Sequence, residues 1–329
     1  MPVNFFKANI SNAAILTGIL ILFSMLAPWL PLADSVGHFR LYLTAFLLLA
    51  TFLLVCFREW RKAVLATAVS AVGVYGMAAA FPNFDGRGTA GDMAEITAVQ
   101  LNLSFRNTTP EAVAAFVRAE HADVVALQEV TNKTGRVLEL LVKDYPFQVS
   151  CRFKGAGGVA VLSRLPKASG VAQGCVEGQG MAWLRVVAGG RAVSVASLHL
   201  HWPYPFKQGR QIDRLEKHLK DIPRPVILAG DFNAAPWSQA VNRIATATET
   251  AIAGGLRLSF DIRVNRWVPP IAMPIDHVLL PEGIVALDVR LGPGPGSDHR
   301  SIIAKLALPE SSSSAQVSAQ PRAETRAVN

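Results

Sequence analysis

Val226-Ile227-Leu228-Ala229-Gly230-Asp231-Phe232-Asn233-Ala234-Ala235-Pro236 is the stretch whose reading decides the fold. A short apolar run stops abruptly at a glycine, a carboxylate, an aromatic ring and an amide. Such a run, bounded by turn residues, has the pattern of a buried strand. Its polar residues then fall at the carboxyl end of the strand, where open α/β sheets place their ligands. Asp231 and Asn233 are two residues apart, so in extended chain both side chains point to one face. The plainer alternative is a strand running into an Asx-type turn, because Asp, Asn and Pro are turn residues.

Outward from this strand, the same pattern repeats. Ile96 to Leu103 reads as a strand with Asn102 near its end, and Val124 to Val130 as a second ending in Glu129. Between them, Thr109-Pro110-Glu111 has the signature of a helix start, and the helix runs to about His121. Thr134 to Tyr145 reads as a helix, Phe147 to Cys151 and Gly158 to Ser163 as strands, and Gln208 to Leu219 as an amphipathic helix. Ala182 to Val187 and Ala192 to Leu200 suggest a hairpin through Gly189-Gly190. Ile275 to Leu280 and Ser301 to Leu308 complete the strands. So many apolar strands with few helices argue for two sheets packed face to face with helices outside.

The first 81 residues differ from the rest. The 329-residue chain is 51% hydrophobic and 17% charged, more apolar than an ordinary soluble protein, and the excess lies before residue 82. Ala13 to Leu32, Leu41 to Phe57 and Ala63 to Phe81 are apolar runs that suggest three membrane spans. A cleaved signal peptide competes for the first run, but its apolar core is long for one. Arg58, Arg61 and Lys62 lie between the second and third runs, whereas Pro31 to Gly37 holds no basic residue. The positive-inside rule then puts the N-terminus in the cytoplasm and the domain after residue 81 outside it. In a bacterial inner membrane the protein would be multi-pass, with a periplasmic domain. The spans carry no buried charge, which disfavours a transporter.

Residues 82–94 read as a Gly- and Asp-rich linker, 95–308 as one folded domain and 309–329 as a disordered tail. The net charge of +8 suits an anionic partner or the membrane topology equally. Three cysteines without a Cys-x-x-Cys or Cys/His cluster argue against structural zinc. Cys151 and Cys175 are either a disulfide in an oxidising compartment or two separate core residues.

Asn102, Glu129, His199, Asp231, Asn233, Asp276, Asp298 and His299 each sit at or just past the end of an apolar strand. A single strand-end carboxylate is usually just solvated. Eight amide, carboxylate and imidazole groups together are the types that bind a hard divalent cation and move protons.

The motifs Gln100-Leu101-Asn102, Leu127-Gln128-Glu129-Val130, Leu198-His199-Leu200, Gly230-Asp231-Phe232-Asn233-Ala234, Ile275-Asp276-His277 and Ser297-Asp298-His299-Arg300 resemble, in order and spacing, the endonuclease/exonuclease/phosphatase superfamily of DNase I-like proteins. The resemblance covers about residues 95–307. It implies a four-layer α/β sandwich and a metal-dependent phosphoesterase that hydrolyses a phosphodiester with an activated water. It further implies a Mg²⁺ (or Mn²⁺) site at Glu129 with Asn102. Asp231 and Asn233 resemble the residues that position the water and the phosphate. His299 resembles the central imidazole, as base or phosphate contact, and His199 a second phosphate contact. Adjacent residues of extended chain face opposite ways. Asp276 should therefore orient His299, leaving Asp298 for metal or nucleophile.

His201 and Trp202 are expected at the substrate rim; a zinc pair of His199 and His201 lacks further ligands. Gln179-Gly180 stands where some family nucleases have an arginine, and Gly155-Ala156-Gly157 where some have a tyrosine. Both departures put duplex DNA in doubt. Nucleic acid and phospholipid head groups stay open as substrates, as does a phospholipid or inositol-phosphate phosphatase. A non-catalytic binding module is the rival class, and no obligate protein partner is evident.

Overall fold

The computed structural model describes residues 3–81, 93–153, 157–262 and 270–309. Four helices come first: α1 (Val3–Ser24), α2 (Pro31–Gly37), α3 (Arg40–Cys56) and α4 (Trp60–Ala78). Helices α1, α3 and α4 pack along a seam rich in small residues, including Ala14, Ala50, Ala63, Ala66 and Ser70. A Cβ on Gly73 would strike Thr44 Oγ1 at 2.4 Å, so this glycine lets α3 and α4 approach closely. Large apolar side chains such as Ile15, Leu16, Leu49, Phe52 and Leu65 point outward. Ile21, Leu47 and Leu54 fill the rest of the seam.

The expectation of three spans is corrected. Among the described residues one helix, α1, is long and apolar enough by itself to cross a membrane. The second expected span is cut to the 17 residues of α3, about 25 Å at 1.5 Å per residue. It reaches spanning length only jointly with α2, across a 62° bend. The third, α4, begins with Trp60-Arg61-Lys62, and its serine, threonine and glycines dilute its apolarity. The stretch expected as an open first loop is also corrected, because it forms α2.

The domain that follows has two six-stranded mixed sheets. The first, in the order β13-β14-β1-β2-β4-β3, is built from β1 (Met93–Asn102), β2 (Val124–Val130), β3 (Phe147–Arg152), β4 (Gly158–Ser163), β13 (Val285–Leu291) and β14 (Ile302–Pro309). The second, β5-β6-β7-β8-β12-β9, comprises β5 (Gln173–Val176), β6 (Met181–Ala188), β7 (Arg191–His199), β8 (Val226–Asp231), β9 (Thr250–Ile252) and β12 (Asp276–Pro281). A small pair, β10 (Phe260–Ile262) and β11 (Ile271–Met273), lies apart. Each large sheet has one parallel pair at its centre, β1 with β2 and β7 with β8. These are bridged by the helices α5 (Pro110–Ala119) and α7 (Gln208–Lys220), as a parallel crossover requires.

The inner faces of the sheets interdigitate Ile96, Val124, Val161, Leu184, Ile227 and Val278 into one apolar core. Outside the first sheet, α5 and α6 (Arg136–Leu141) bury Val113, Val117 and Leu141. Outside the second, α7 and α8 (Gln239–Thr248) bury Ile212, Leu215 and Ile244. The layers are therefore helix, sheet, sheet, helix. Cys151 on β3 is joined to Cys175 on β5, which ties an edge of one sheet to an edge of the other.

Some element expectations shift. The Thr134–Tyr145 helix shortens to α6, and β5, β12's partner β9, α8 and β13 fill stretches without a strong sequence pattern. Thr109 stands at the N-cap of α5, but its hydroxyl donates to Asn107 Oδ1 instead of capping. Strand β1 begins at Met93 and β14 runs through Pro309. The remainder of the expected linker and tail, and Gly155-Ala156, lie outside the described residues.

Candidate active site

The carboxyl ends of the two parallel pairs meet. Asn102 ends β1, Glu129 lies near the end of β2, His199 ends β7 and Asp231 ends β8. In register, His199 sits beside Asp231 and Asp231 beside Asp276, so three functional groups form one row across β7, β8 and β12. His299 arrives from the loop between β13 and β14, where it bridges to Phe260.

Two local distortions aim the side chains. Glu129 has φ +57° and lies where the pairing of β2 with β4 slips between Gln128 and Val130. Such a bulge turns a side chain away from its regular face. Gly157, itself at φ +73°, makes room, because a Cβ there would meet the Glu129 carbonyl carbon at 2.9 Å. Asn233 has φ +46°, a left-handed conformation that asparagine tolerates. The extended chain expected from Asp231 to Asn233 is thus corrected to a turn. Its physical reason is local: the Asn233 N–H donates to Asp231 Oδ1 at 2.8 Å. The Asn233 amide donates to Leu200 O at 2.8 Å, holding it beside the carboxylate.

His299 Nδ1 donates to Asp276 Oδ2 at 2.8 Å. Asp276 also accepts from Ser259 Oγ at 2.7 Å and from Gln100 Nε2 at 2.8 Å. Gln100 Nε2 donates to Gln128 Oε1 as well, and Gln128 Nε2 to Ser197 Oγ at 2.9 Å. Gln100 and Gln128 belong to the first sheet, Ser197 and Asp276 to the second, so a buried polar chain joins the sheets beneath the site. Asn102 Nδ2 donates to Asp231 Oδ2 at 2.9 Å and to Glu129 Oε1 at 3.2 Å, while its Oδ1 accepts from the Ser104 N–H. The Phe105 N–H donates to Glu129 Oε2. His199 Nε2 is 3.5 Å and His299 Nε2 3.9 Å from Asp231 Oδ2.

Burial and these partners set the charges. Burial raises Asp231, and the Asp276 charge raises it further, to about 7. Burial works against charge on Asp276 too, but His299 and the bonds from His299, Ser259 and Gln100 outweigh it and hold the carboxyl below its usual range. Burial opposes a charged His299, yet Asp276, Asp231 and Asp298 overcome it and push the imidazolium up to about 10. His199, buried and facing the His299 charge, is pushed down to about 3 and stays neutral. Burial raises Glu129 above the ordinary carboxylate value.

These groups open onto a cleft of about 500 Å³. Glu129, Asp231, Asn233, His199, Asp298 and His299 line it, with His201 and Trp202 on the same wall. His201 packs on Phe153 at 4.7 Å, and Phe153 meets His199 edge-on at 5.4 Å. The Gly180 position has no room for an arginine, since a Cβ would meet His199 O at 2.4 Å. Asp298 is exposed at the mouth and is not bonded to His299; Asp276 is. Sequence reasoning quoted Gln100 and Gln128 within motifs but gave them no role. Gln100 is two residues from Asn102 and so shares its face, which was the available signal; Gln128 lies beside Asn102 in the pairing of β1 with β2. Ser259, Arg106 and Lys207 were missed, coming from segments without periodicity, and Phe260 from a strand of three residues.

A divalent metal fits the donor set. Glu129, Asp231 and Asp298 are hard oxygen donors converging on one cleft, and the buried pair carries charge that burial disfavours. One ligand atom each of Asp231, Asp276 and His299 also lie within 4.8 Å of one another. Both Asp276 oxygens and the His299 Nδ1 are, however, committed to hydrogen bonds. Both Glu129 oxygens accept hydrogen bonds as well, from Asn102 and Phe105, but Glu129 lines the open cleft and Asp276 does not.

The family model for the endonuclease/exonuclease/phosphatase family matches residues 99–299. A search of curated protein sequences returns no match. Among solved structures, an endonuclease/exonuclease/phosphatase from Beutenbergia cavernae superposes with a TM-score of 0.52 at 20% identity, covering 65% of this chain and 72% of that one. A family member from Bacteroides vulgatus gives 0.53 at 17%, covering 66% and 100%. A D. rerio TDP2 in complex with a single-strand DNA product gives 0.51 at 16%, covering 64% and 98%. These likenesses agree with the DNase I-like α/β sandwich. With the family model spanning most of the sandwich and its motifs converging on one cleft, the chain belongs to the endonuclease/exonuclease/phosphatase family and is a metal-dependent phosphoester hydrolase.

Proposed function

We propose that the protein hydrolyses a phosphodiester with an activated water, and that its N-terminal helices hold it at a membrane. The single observation that carries the chemistry is the row His199–Asp231–Asp276 closed by His299, with His199, Asp231 and His299 lining one cleft and Asp276 buried behind His299. Asp231, pushed up to about 7 and positioned by Asn233 and Asn102, takes the proton of the attacking water in its ionised form. The His299 imidazolium, fixed by Asp276, offers its Nε2–H to a phosphoryl oxygen. Neutral His199 contacts a second oxygen. The water oxygen bonds to phosphorus as one ester P–O bond breaks, and the departing oxygen takes a proton. Mg²⁺ or Mn²⁺, held by Glu129 with Asn102 and Asp298 beside it, would offset charge on the phosphoryl and leaving oxygens. His201 and Trp202 form the substrate rim. A matched His299–Asp276 pair favours an enzyme over a binding module, because binding alone needs no proton machinery.

Three observations support a membrane-held domain outside the cytoplasm. The outward apolar faces of α1, α3 and α4 suit lipid. Arg58, Arg61 and Lys62, with Lys7 over the Phe57 ring, gather at the end of the bundle away from the catalytic domain. The Cys151–Cys175 bond fits an oxidising compartment.

The test is turnover of an aryl phosphodiester by the full chain with Mg²⁺, Mn²⁺ or chelator. Asp231→Ala should lose roughly 10²–10⁴-fold in kcat. Glu129→Gln should chiefly raise the metal concentration needed for half-maximal rate. Near-normal activity in Asp231→Ala would sink the site assignment.

A further inference from the structure

The catalytic domain is not merely tethered to the helical bundle; it is seated on the bundle's end. Trp237 Nε1 donates to Gly37 O at 2.6 Å, the Gln239 N–H to Asp34 Oδ1 at 3.0 Å, and Ser35 Oγ to Tyr204 O at 2.8 Å. The Tyr42 hydroxyl of α3 donates to Ala272 O on β11. Helix α2 therefore packs against the loop between β7 and α7, and that loop is one wall of the active-site cleft.

A second groove, about 480 Å³, runs along this seam. One side is the segment leaving α1, Ala27, Pro28, Trp29 and Pro31; the other is Tyr204, Phe206 and Arg210. Phe206 belongs to both the groove and the cleft, so the two cavities meet at its ring. From the reacting centre outward, two aromatic rings follow His299. Phe260 stacks on His299 at 4.5 Å and Trp202 meets Phe260 at 5.9 Å.

The outer ends of this path are unusually apolar for a surface. Trp29 is 73% and Phe206 66% exposed, with Leu30, Leu32, Trp202 and Tyr204 also in the open. Trp and Tyr at the end of an apolar helix sit at the head-group level of a bilayer. Arg210 and Arg243 line the groove against one acid, Asp34, and Lys207 stands where the groove reaches the cleft, so the groove has a basic excess where a phosphate must enter. An apolar outer lip, a basic throat and a hydrolytic floor match an amphiphile whose phosphate lies just above its chains. A nucleic acid strand would leave the apolar lip without a partner.

We infer that the substrate is a membrane lipid phosphodiester, whose head group enters the cleft past Phe206 along the Trp29 groove while its acyl chains remain in the bilayer. This rests on the proposed hydrolase and on the bundle lying in the membrane. The enzyme would thus draw substrate laterally from the leaflet it is anchored in. Its products would be a lipid and a head-group fragment, with the phosphate on one of them according to which P–O bond breaks.

The experiment uses the full chain reconstituted in vesicles of phosphatidylethanolamine and phosphatidylglycerol with Mg²⁺. Turnover of the vesicle lipids is compared with that of their deacylated, water-soluble glycerophosphodiesters, a single-stranded oligonucleotide and an aryl phosphodiester. Surface confinement should favour the acylated lipids by about 10²-fold in kcat/KM. Trp29→Glu, a change at an exposed side chain outside the cleft, should cut lipid turnover about tenfold, as expected from loss of roughly one interfacial anchor. Aryl phosphodiester turnover by the same preparation should stay within about twofold, which also shows that the variant is folded. Deacylated substrates turned over as well as lipids, a preference for the oligonucleotide, or a Trp29→Glu variant with unchanged lipid turnover would each overturn the inference while leaving the hydrolase standing. If the wild-type chain fails even on the aryl phosphodiester, the hydrolase reading falls first and the lipid substrate with it.

Discussion

At the scale of single residues, the site is a problem of burying charge without stranding it. Asp276 and His299 solve it by pairing, with Ser259 and Gln100 occupying the remaining lone pairs of the carboxylate. Asp231 is solved less completely, which leaves it poised to exchange a proton. His277, next to Asp276, shows the contrasting structural use of a histidine. Its Nε2–H donates to Ala234 O at 2.8 Å, and burial pushes it down to about 4 from an ordinary value of 6.5. Between those two values the unfolded chain binds the extra proton and the folded chain does not. Stability tied to this ring is therefore complete above pH 6.5 and falls as the pH drops toward 4. By pH 5 the loss should be about 2 kcal/mol. Denaturant midpoints at neutral and acid pH should show His277→Gln losing that much less than the wild type. Equal losses would mean the ring is not held neutral.

At the scale of elements, legibility followed regularity. The Asp231, Glu129 and Asn102 strands were readable because each is a buried apolar run with a polar end, and period-two logic separated Asp298 from His299. The same logic failed where a functional side chain depends on leaving the strand. Neither the left-handed Asn233 nor the bulged Glu129 can be derived from alternation. Ser259 and the loop carrying Lys207 come from irregular chain held by tertiary contacts, and Phe260 from a three-residue strand too short for a periodic signal. Helix α2 was hidden for a related reason: a seven-residue helix has little propensity signal and is fixed by its docking on Trp237 and Gln239.

The disulfide belongs to this scale too, since it links β3 to β5 across 24 residues of sequence. Closing a loop of that size is worth roughly 3 kcal/mol, so Cys151→Ser with Cys175→Ser should lower stability by about that amount. Alkylation of intact cells before lysis reads the same bond and the orientation together. Both thiols should resist labelling until a reductant is added. Immediate labelling of both would place the domain in a reducing compartment.

For the whole molecule, the two halves of the chain share one design. Each sheet carries a parallel pair whose carboxyl ends deliver polar groups to the same cleft, and the buried Gln100–Gln128–Ser197 chain keeps the sheets in register beneath it. The bundle adds position, seating this cleft beside the exit of α1. Sequence revealed the two-part organisation plainly but overcounted the spans, because apolar runs alone do not report where a helix bends or how short it becomes.

The most direct test of the account is hydrolysis of an aryl phosphodiester in ¹⁸O-labelled water, with mass analysis of the phosphate-bearing product. The account predicts one labelled oxygen per turnover, formation that stops when chelator removes the metal, and recovery when Mg²⁺ or Mn²⁺ is restored. Product without label, or turnover indifferent to chelator, would contradict metal-dependent attack by water in this cleft.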